Sequence, residues 1–257
     1  MALRPQRPIA HDDRLTIVDH LSELRSRLVV SMLAFGVALA LCFWQNHLIL
    51  GIINAPLPGN RQPITFGVTE AFTTTFTNAA YAAILISLPV VLYQLYAFVL
   101  PAFSPDERRV ATPLLVLIPI LFIAGVVFCY FVVLPGAIHF LLNFNADEFK
   151  TEIRARDYYS FATLTMLAMG LGFQVPIGIL AAVKLRITSV EKLRRNRRYA
   201  IVVIAVLAAL LPTIDPVTML LEMVPLLVLY ELSIVLANLF VRPVGEVTDP
   251  VAPAEGS

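Results

Sequence analysis

The chain has 257 residues, of which 58% are apolar and only 14% are charged, and its mean hydropathy is +0.80. A soluble domain is about half apolar and about a quarter charged, so this chain has too little polar surface to cover a soluble core. The composition excludes an ordinary soluble protein and predicts a polytopic membrane protein. The net charge of +1 identifies no class of partner.

The chain begins with a polar segment, residues 1–18, which we expect to be a short mobile tail. An amphipathic run, HLSELRSRL at 20–28, leads without a break into the first of six apolar segments. About 20 helical residues cover the ~30 Å hydrocarbon layer. We predict an all-α, single six-helix membrane domain over 19–241 and a disordered tail over 242–257. The expected spans are 28–50, 72–100, 111–134, 158–183, 199–211 and 217–241.

Local features refine these spans. The polar residues 45–47 interrupt the first span near its end, and Pro135-Gly136 is expected to close the third. Two cysteines, Cys42 and Cys129, lie in apolar segments without the spacing of metal ligands, which predicts buried free thiols.

Lysine and arginine are distributed unequally between the two sides of the predicted domain. Six spans put both termini on one side, and that side carries fifteen Lys and Arg against four on the other. The fifteen lie in the N-terminal segment up to residue 27, at 108–109, over 184–198 and at Arg242. Because basic residues concentrate in cytoplasmic loops, we predict that both termini are cytoplasmic.

The fifth segment is unusually short. Its thirteen residues, 199–211, reach only ~20 Å as a helix. Either neighbouring helices shield this segment, or the bilayer thins beside it at a modest cost.

Prolines recur within or at the ends of the predicted spans. Each removes a helix hydrogen bond and favours a kink. We therefore expect a curved wall with a concave face rather than a tight parallel bundle. The prolines are at positions 89, 113, 119, 135, 176 and 225.

Catalytic motifs are missing from the sequence. It contains no glycine-rich phosphate loop, no HExxH and no GxSxG, and its four histidines are scattered. Glu222 and Glu231 are nine residues apart, which places them on opposite faces of a helix, so they do not form a catalytic dyad. We expect a protein that is not an enzyme, with no cofactor, no metal and no nucleic-acid partner.

Polar side chains inside spans need a physical reason, since a charge in lipid costs roughly 2.5–3.5 kcal/mol on insertion scales. For Glu231, a structural bond to a neighbouring helix and a contact with a partner are equally favoured. For Glu222 the structural interpretation is preferred. Gln94 and Gln174 are neutral, and we expect helix-to-helix hydrogen bonds from both.

Two acids, Glu23 and Glu107, lie within two residues of arginines on the predicted inner surface. One interpretation is a local salt bridge worth about 0–1 kcal/mol. The other is a pair of carboxylates that receive guanidinium groups from an incoming peptide. The second interpretation requires that neither acid be neutralised by its own neighbours.

Several motifs together resemble the TatC family, the receptor subunits of twin-arginine protein translocases. The run HLSELRSRL at 20–28 is similar to the family's N-terminal motif, and the resemblance covers about residues 15–241. The other matching stretches are PVVLYQLYAFVLP at 89–101, ERR at 107–109, FQVP at 173–176, and Pro212 to Asp215 with Tyr230-Glu231.

The resemblance implies a receptor that binds signal peptides with paired arginines and exports folded proteins across the bacterial plasma (inner) membrane. It implies that Glu23 and Glu107 form the arginine-pair site, and the positions matching its surroundings are Arg25, Phe98, Pro101, Arg108 and Arg109. It ties Pro56 and Asp215 to translocation. It also implies single-span partners of the TatA and TatB type, docked on the fifth and sixth spans and nearby helices with Glu231 as a contact, and an oligomer of receptor units in the lipid bilayer.

Two positions depart from the family pattern. Gln174 stands where the family often has an intramembrane Glu, and a neutral amide cannot ionise or relay protons. Met219 stands where many relatives have Gln. Glu222 matches nothing in the pattern.

The rival function is a small-solute secondary transporter or channel. Such a protein is expected to have internal repeats and interrupted helices that meet at the midplane. The sequence has no convincing repeat. The expected energy source for export is the proton-motive force, because nothing in the chain resembles a nucleotide site.

Overall fold

The computed structural model describes the backbone of residues 12–60, 62–99, 105–148, 151–184, 187–209 and 215–240, and it describes no side chains at 12–19, 60, 105–114, 184 and 240. Over these ranges the chain is all-helical, as predicted, with one isolated bridge between Ile64 and Arg154. The expected tail at 242–257 lies outside them. The helices are α1 (Asp12–Trp44), α2 (Asn46–Asn54), α3 (Glu70–Val99), α4 (Pro105–Phe128), α5 (Leu134–Asn143), α6 (Ala155–Gly172), α7 (Val175–Lys184), α8 (Val190–Arg195), α9 (Arg197–Ala209) and α10 (Pro216–Phe240).

The first helix begins earlier than expected. α1 starts at Asp12, within the segment predicted as a tail, and it opens with two residues of the acidic type favoured at helix N-termini. It continues through the amphipathic run to Trp44, which confirms the unbroken lead-in. The predicted interruption is also confirmed, because Gln45 leaves the helical conformation (φ −97°, ψ 31°) before α2.

Five stretches of the described chain are long and apolar enough to cross a membrane. They correspond to the expected first, second, third, fourth and sixth spans. The expected fifth span is α9, whose thirteen residues fall short of that length. The number of six crossings therefore stays a prediction. The five stretches are His20–Trp44, Glu70–Val99, Leu115–Asn143, Ala155–Val183 and Pro216–Leu239.

The expectation that Pro135-Gly136 closes the third span is wrong. The helix passes through a π-helical turn at Cys129–Val133 and continues as α5 to Asn143. The wide turn shifts the hydrogen-bond pattern, so Pro135 falls in the first turn of α5, where its missing N–H is tolerated.

The fourth span is one stretch in two parts, with a turn at Phe173 and Gln174 between α6 and α7. α4 approaches α6 closely at two glycines. A Cβ added to Gly125 would lie 2.9 Å from both the Gly170 Cα and the Met169 carbonyl oxygen. Because Gly125 and Gly170 have no Cβ atom, α4 and α6 pack closer together than alanine at these positions would permit.

Three apolar clusters hold the described helices together. The largest lies among the π turn, α6, α7 and α10 and includes Cys129 and Met169. A second joins α1 to α3 around Cys42, and a third joins α3, α4 and α7 around Phe122 and Ile177. Both cysteines are buried free thiols, as predicted. Large apolar side chains on the outer faces are left exposed, which suits helices surrounded by lipid.

α9 is not shielded by the described part of its own chain. It packs on α10 and α8 and buries Ile204 and Ala208. Apolar side chains on its other faces are about half exposed, namely Ile201, Val202, Val203, Val206 and Leu207. Of the two interpretations of the short segment, shielding within this chain is therefore not observed, and bilayer thinning remains a prediction.

The loops that precede α3 and α6 are tied together. The Ile64 N–H donates to the Ile153 carbonyl at 2.8 Å, and the Ala155 N–H donates back to the Ile64 carbonyl at 2.9 Å. Beside this pair, Arg154 Nε donates to Glu70 Oε1 at 2.7 Å. Glu70 is buried, and its second oxygen accepts the Phe66 and Gly67 N–H groups. The Glu70 carboxylate therefore links the two loops, and we call its bonds to Arg154, Phe66 and Gly67 the latch.

Prolines do not interrupt every helix that contains them. Pro89 and Pro225 lie inside the continuous helices α3 and α10. The expected curved, concave wall stays a prediction.

Candidate functional site

The motif at 20–28 lies on α1 and faces the C-terminal part of α3. The His20 ring stacks on the Phe98 ring with centroids 4.3 Å apart and an interplanar angle of 16°. The two helices pack along much of their length, so residues that are far apart in sequence meet at one end of the pair. Phe98, expected near the peptide site, is therefore placed beside the N-terminal motif.

Glu23 is bound by an arginine of its own helix. Arg27 Nε donates to Glu23 Oε1 at 3.0 Å, and Arg27 Nη2 donates to the same oxygen at 2.5 Å. The other oxygen, Oε2, lies 3.9 Å from His20 Nδ1. Both paired side chains are partly accessible, with 33% of Glu23 and 25% of Arg27 exposed.

Arg27 also joins α1 to α3. Its third donor group, Nη1, reaches the side-chain oxygen of Gln94 at 3.1 Å. This bond confirms the expectation that Gln94 makes a helix-to-helix hydrogen bond. The guanidinium is thus shared between a carboxylate on its own helix and a neutral amide on the next.

The expectation that Glu23 is not neutralised by its neighbours is wrong, because Arg27 is one helical turn away at the i+4 spacing. A partly exposed pair at this helical spacing contributes only about 0.3–0.5 kcal/mol. The local salt bridge is therefore real but weak, and a ligand of the same chemistry can compete for the carboxylate.

Of the remaining residues of the expected arginine-pair site, the structure describes the side chain of Arg25 only. Arg25 is exposed on α1. Glu107, Arg108 and Arg109 lie in the first turns of α4, with their side chains outside the described residues. Pro101 also lies outside them. The structure places Phe98 against His20, whose Nδ1 lies 3.9 Å from Glu23 Oε2, and it does not test the distance from Glu23 to Glu107.

Gln174 makes the helix-to-helix hydrogen bond expected of it. Its buried Nε2 donates to the Ile118 carbonyl of α4 at 3.2 Å. It sits at the turn between α6 and α7, so this bond ties the interrupted fourth span to the third.

Glu231 pairs with a neighbouring helix. Arg197 Nη2, at the start of α9, donates to Glu231 Oε2 at 2.7 Å, and about half of each side chain is exposed. The adjacent Tyr230 hydroxyl donates to the Leu193 carbonyl of α8 at 3.0 Å. Of the two roles considered for Glu231, the structural one is therefore observed. Its exposure leaves a partner contact as a proposal.

Pro56 and Asp215, the two positions that the resemblance ties to translocation, lie in turns next to helices. Pro56 is half-buried after α2. Asp215 precedes α10, and its Oδ1 accepts the Thr218 N–H at 2.7 Å, which caps the helix that begins at Pro216.

Glu222 is completely buried on α10, whereas Glu231 is half exposed. This contrast agrees with the predicted opposite faces. Glu222 lies near enough to Cys129 of the π turn to interact with it electrostatically. No set of three or more His, Cys, Asp or Glu within the described ranges is placed to hold a metal ion.

Sequence reasoning missed Arg27, Gln94 and His20 as members of one cluster. The i+4 spacing between Glu23 and Arg27 was the available signal for the ion pair. Nothing in the sequence alone indicated that His20 and Phe98 stack across two helices, because their separation in sequence is 78 residues and the contact depends on how α1 packs on α3.

An apolar groove of about 580 Å³ lies between the π turn and α10. It is open to the side, and its walls include Phe128, Val133, Leu221 and Val228, with Phe173 at the fourth-span turn. An apolar groove of this size that is open to the side suits a helix or an acyl chain.

Five long apolar helical stretches, a core buried among them and apolar side chains on the outer faces define a polytopic helical membrane protein. Comparison with known proteins narrows this class. Residues 19–225 match the family model for TatC, the Sec-independent protein translocase protein. The chain belongs to the TatC family.

Individual relatives agree with the family match. The chain is 36% identical to the Sec-independent protein translocase protein TatC of Carboxydothermus hydrogenoformans, over 90% of this chain and 96% of that protein. It is 33% identical to the TatC of Escherichia coli, over 90% of this chain and 91% of that protein. A crystal structure of the twin-arginine translocase receptor TatC superposes with a TM-score of 0.76 at 34% identity, covering 87% of this chain and all of that chain.

Proposed function

We propose that this chain is the receptor component of a twin-arginine translocation complex in a bacterial inner membrane. It binds signal peptides with paired arginines at its cytoplasmic surface and, with TatA- and TatB-type single-span partners, exports folded proteins by means of the proton-motive force. Family membership and the likeness to a solved receptor support this proposal.

One observation carries the peptide-binding part of the proposal. The Glu23 carboxylate already holds a guanidinium, that of Arg27, with two donors on one oxygen, while a third of the Glu23 side chain remains exposed. The position therefore has the charge, geometry and access needed to receive an arginine from another chain. Glu107, in the first turns of α4, is proposed to receive the second arginine.

The orientation follows from the distribution of charge. With α9 as a sixth, short crossing, both termini lie on the side that carries fifteen of the nineteen basic residues. The α1 motif, the start of α4 and the basic segment containing α8 then share the cytoplasmic side. An incoming arginine pair reaches Glu23 and Glu107 without crossing lipid.

The partner helices are proposed to dock on the fifth and sixth spans. The apolar groove beside α10 is lined by side chains that a single-span helix can cover. Glu231, which is half exposed, and Gln174, which is buried but whose side-chain oxygen has no hydrogen-bond partner among the described residues, are proposed to supply polar groups for such a contact. Pro56 and Asp215 are proposed to act in translocation at the outer surface. Several receptor units are proposed to assemble together.

The test of peptide binding is photo-crosslinking. A signal peptide with paired arginines and a photoreactive group is mixed with membranes containing the wild type, Glu23→Ala, Glu107→Ala or the double variant. We expect a strong loss for Glu107→Ala, a weaker loss for Glu23→Ala and little crosslinking for both together.

The matched control is Glu191→Ala, which removes one exposed acid from α8 on the same predicted side. This variant is expected to crosslink like the wild type, and a peptide with paired lysines reports the part of the signal that does not depend on guanidinium geometry. Undiminished crosslinking in the double variant removes the assignment of the arginine site.

A further inference from the structure

We propose that Arg27 is a built-in occupant of the peptide site: its guanidinium holds the Glu23 carboxylate when no signal peptide is bound and releases it when a cargo arginine binds. This inference rests on the proposed function, since it concerns the regulation of the same site. Its basis is that the side chain found on Glu23 has the same chemistry as the expected ligand.

The geometry sets the two guanidinium groups in competition for one oxygen of Glu23. Bidentate binding of an arginine to a carboxylate uses both oxygens through parallel N–H···O bonds. In the free protein, Arg27 directs Nε and Nη2 at the single oxygen Oε1 of Glu23. Oε1 already accepts two N–H groups, one for each lone pair, so a cargo arginine that takes both oxygens must displace at least one Arg27 donor from Oε1. The exchange replaces one charge-assisted hydrogen bond by another.

Gln94 provides a second hydrogen-bond acceptor for Arg27 when its donors leave Glu23. Arg27 Nη1 donates to the Gln94 side-chain oxygen on α3 independently of Glu23. When Glu23 is taken by a peptide, Arg27 keeps this bond and swings its remaining donors toward solvent, which its partial exposure permits. Because the Gln94 amide is neutral, it accepts a hydrogen bond from Arg27 without attracting the cargo guanidinium away from Glu23. The site therefore exchanges its internal arginine for the external one without leaving a buried charge unpaired.

The consequence is a modest, built-in weakening of peptide affinity. An ion pair one helical turn long contributes only about 0.3–0.5 kcal/mol, so removing the internal competitor tightens binding of a paired-arginine peptide by about two-fold. The same competition favours ligands that offer a well-aligned guanidinium, because a lysine ammonium cannot take both oxygens in this way. Arg27 thus acts as a specificity filter as well as an occupant.

The experiment measures the dissociation constant of a fluorescent paired-arginine signal peptide on the full-length chain in nanodiscs. Four proteins form a double-mutant cycle: wild type, Arg27→Gln, Glu23→Gln and the double variant. We expect Arg27→Gln to tighten binding when Glu23 is present and to have no such effect when residue 23 is Gln. Arg195→Gln is the charge control, because it removes an exposed arginine from α8, which packs on α9 and α10, and it is expected to bind like the wild type.

The outcomes separate this inference from the proposed function. If Glu23→Gln does not weaken binding, Glu23 is not part of the peptide site and the proposed function fails there. If Glu23→Gln weakens binding while Arg27→Gln weakens it or leaves it unchanged, the peptide site stands and the occupant role of Arg27 is overturned. Should Arg27→Gln not yield folded protein, Arg27→Lys decides instead. A single ammonium is a weaker competitor than a guanidinium, so tighter binding supports the proposal and equal or weaker binding refutes it.

Discussion

The close approach of α4 to α6 makes a quantitative prediction about one glycine. In Gly125→Ala, the new Cβ would lie 2.9 Å from two backbone atoms, the Gly170 Cα and the Met169 carbonyl oxygen. Backbone atoms inside two packed helices cannot move aside as a side chain does. Overpacking of this kind typically costs about 1–3 kcal/mol.

Gly36→Ala, on α1, is the matched control because a Cβ there meets nothing within 4 Å. Both substitutions gain the same helix propensity, about 1 kcal/mol, so their difference isolates the packing cost. With roughly 2–4 °C per kcal/mol for a chain of this size, we expect Gly125→Ala to melt about 2–12 °C below Gly36→Ala. The assay is thermal unfolding of the purified protein in one detergent, followed by tryptophan fluorescence or by aggregation. Equal melting temperatures would refute the claimed contact between the two helix backbones.

Three further predictions concern the polar contacts and the short helix. Gln174→Glu is expected to retain export, because a neutral carboxylic acid can still donate to the Ile118 carbonyl; loss of export with normal membrane insertion contradicts this. Glu70→Gln weakens the latch to Arg154, so hydrogen exchange at the 62–70 segment is expected to accelerate while exchange in α1 stays unchanged, and an unaltered rate at 62–70 refutes the latch. Spin labels along 197–209 are expected to report a bilayer thinner than the ~30 Å core, and a normal thickness beside α9 eliminates local thinning.

Hydropathy and charge predicted the long helices because each long apolar run is a local property of the sequence. The fold class and five of the spanning stretches follow from such runs. The end of the third span does not follow from such a run. The expected stop at Pro135 failed because the helix widens into a π-helical turn at Cys129–Val133, which puts Pro135 in the first turn of α5, where its missing N–H is tolerated. α8 was also missed, since its six residues, Val190–Arg195, carry no apolar period.

The candidate site was predictable in its residue types and not in its pairing. Glu23 was singled out correctly as an accessible acid beside basic residues. The sequence offered a salt bridge as one interpretation of Glu23 but did not identify its partner. Arg25 and Arg27 are both neighbours in the sequence, and the helix places the i+4 residue, Arg27, against the carboxylate. The participation of Gln94 depends on the packing of α1 against α3, a contact between positions 67 residues apart.

The role of Glu231 shows the same limit. Its position inside the sixth span required a partner for the charge. The partner, Arg197, lies at the start of a helix whose orientation on α10 is a property of the folded chain. Sequence reasoning could state that the charge needs compensation and could not name the residue that supplies it.

The proposed function depends above all on Glu23 receiving an arginine of the signal peptide. Its most direct test is a structure of the full-length chain bound to a paired-arginine signal peptide. We expect a peptide guanidinium within hydrogen-bond distance of both Glu23 oxygens, with Arg27 retained on Gln94 alone. A bound peptide whose arginines lie away from Glu23, with the Arg27–Glu23 pair intact, would contradict it.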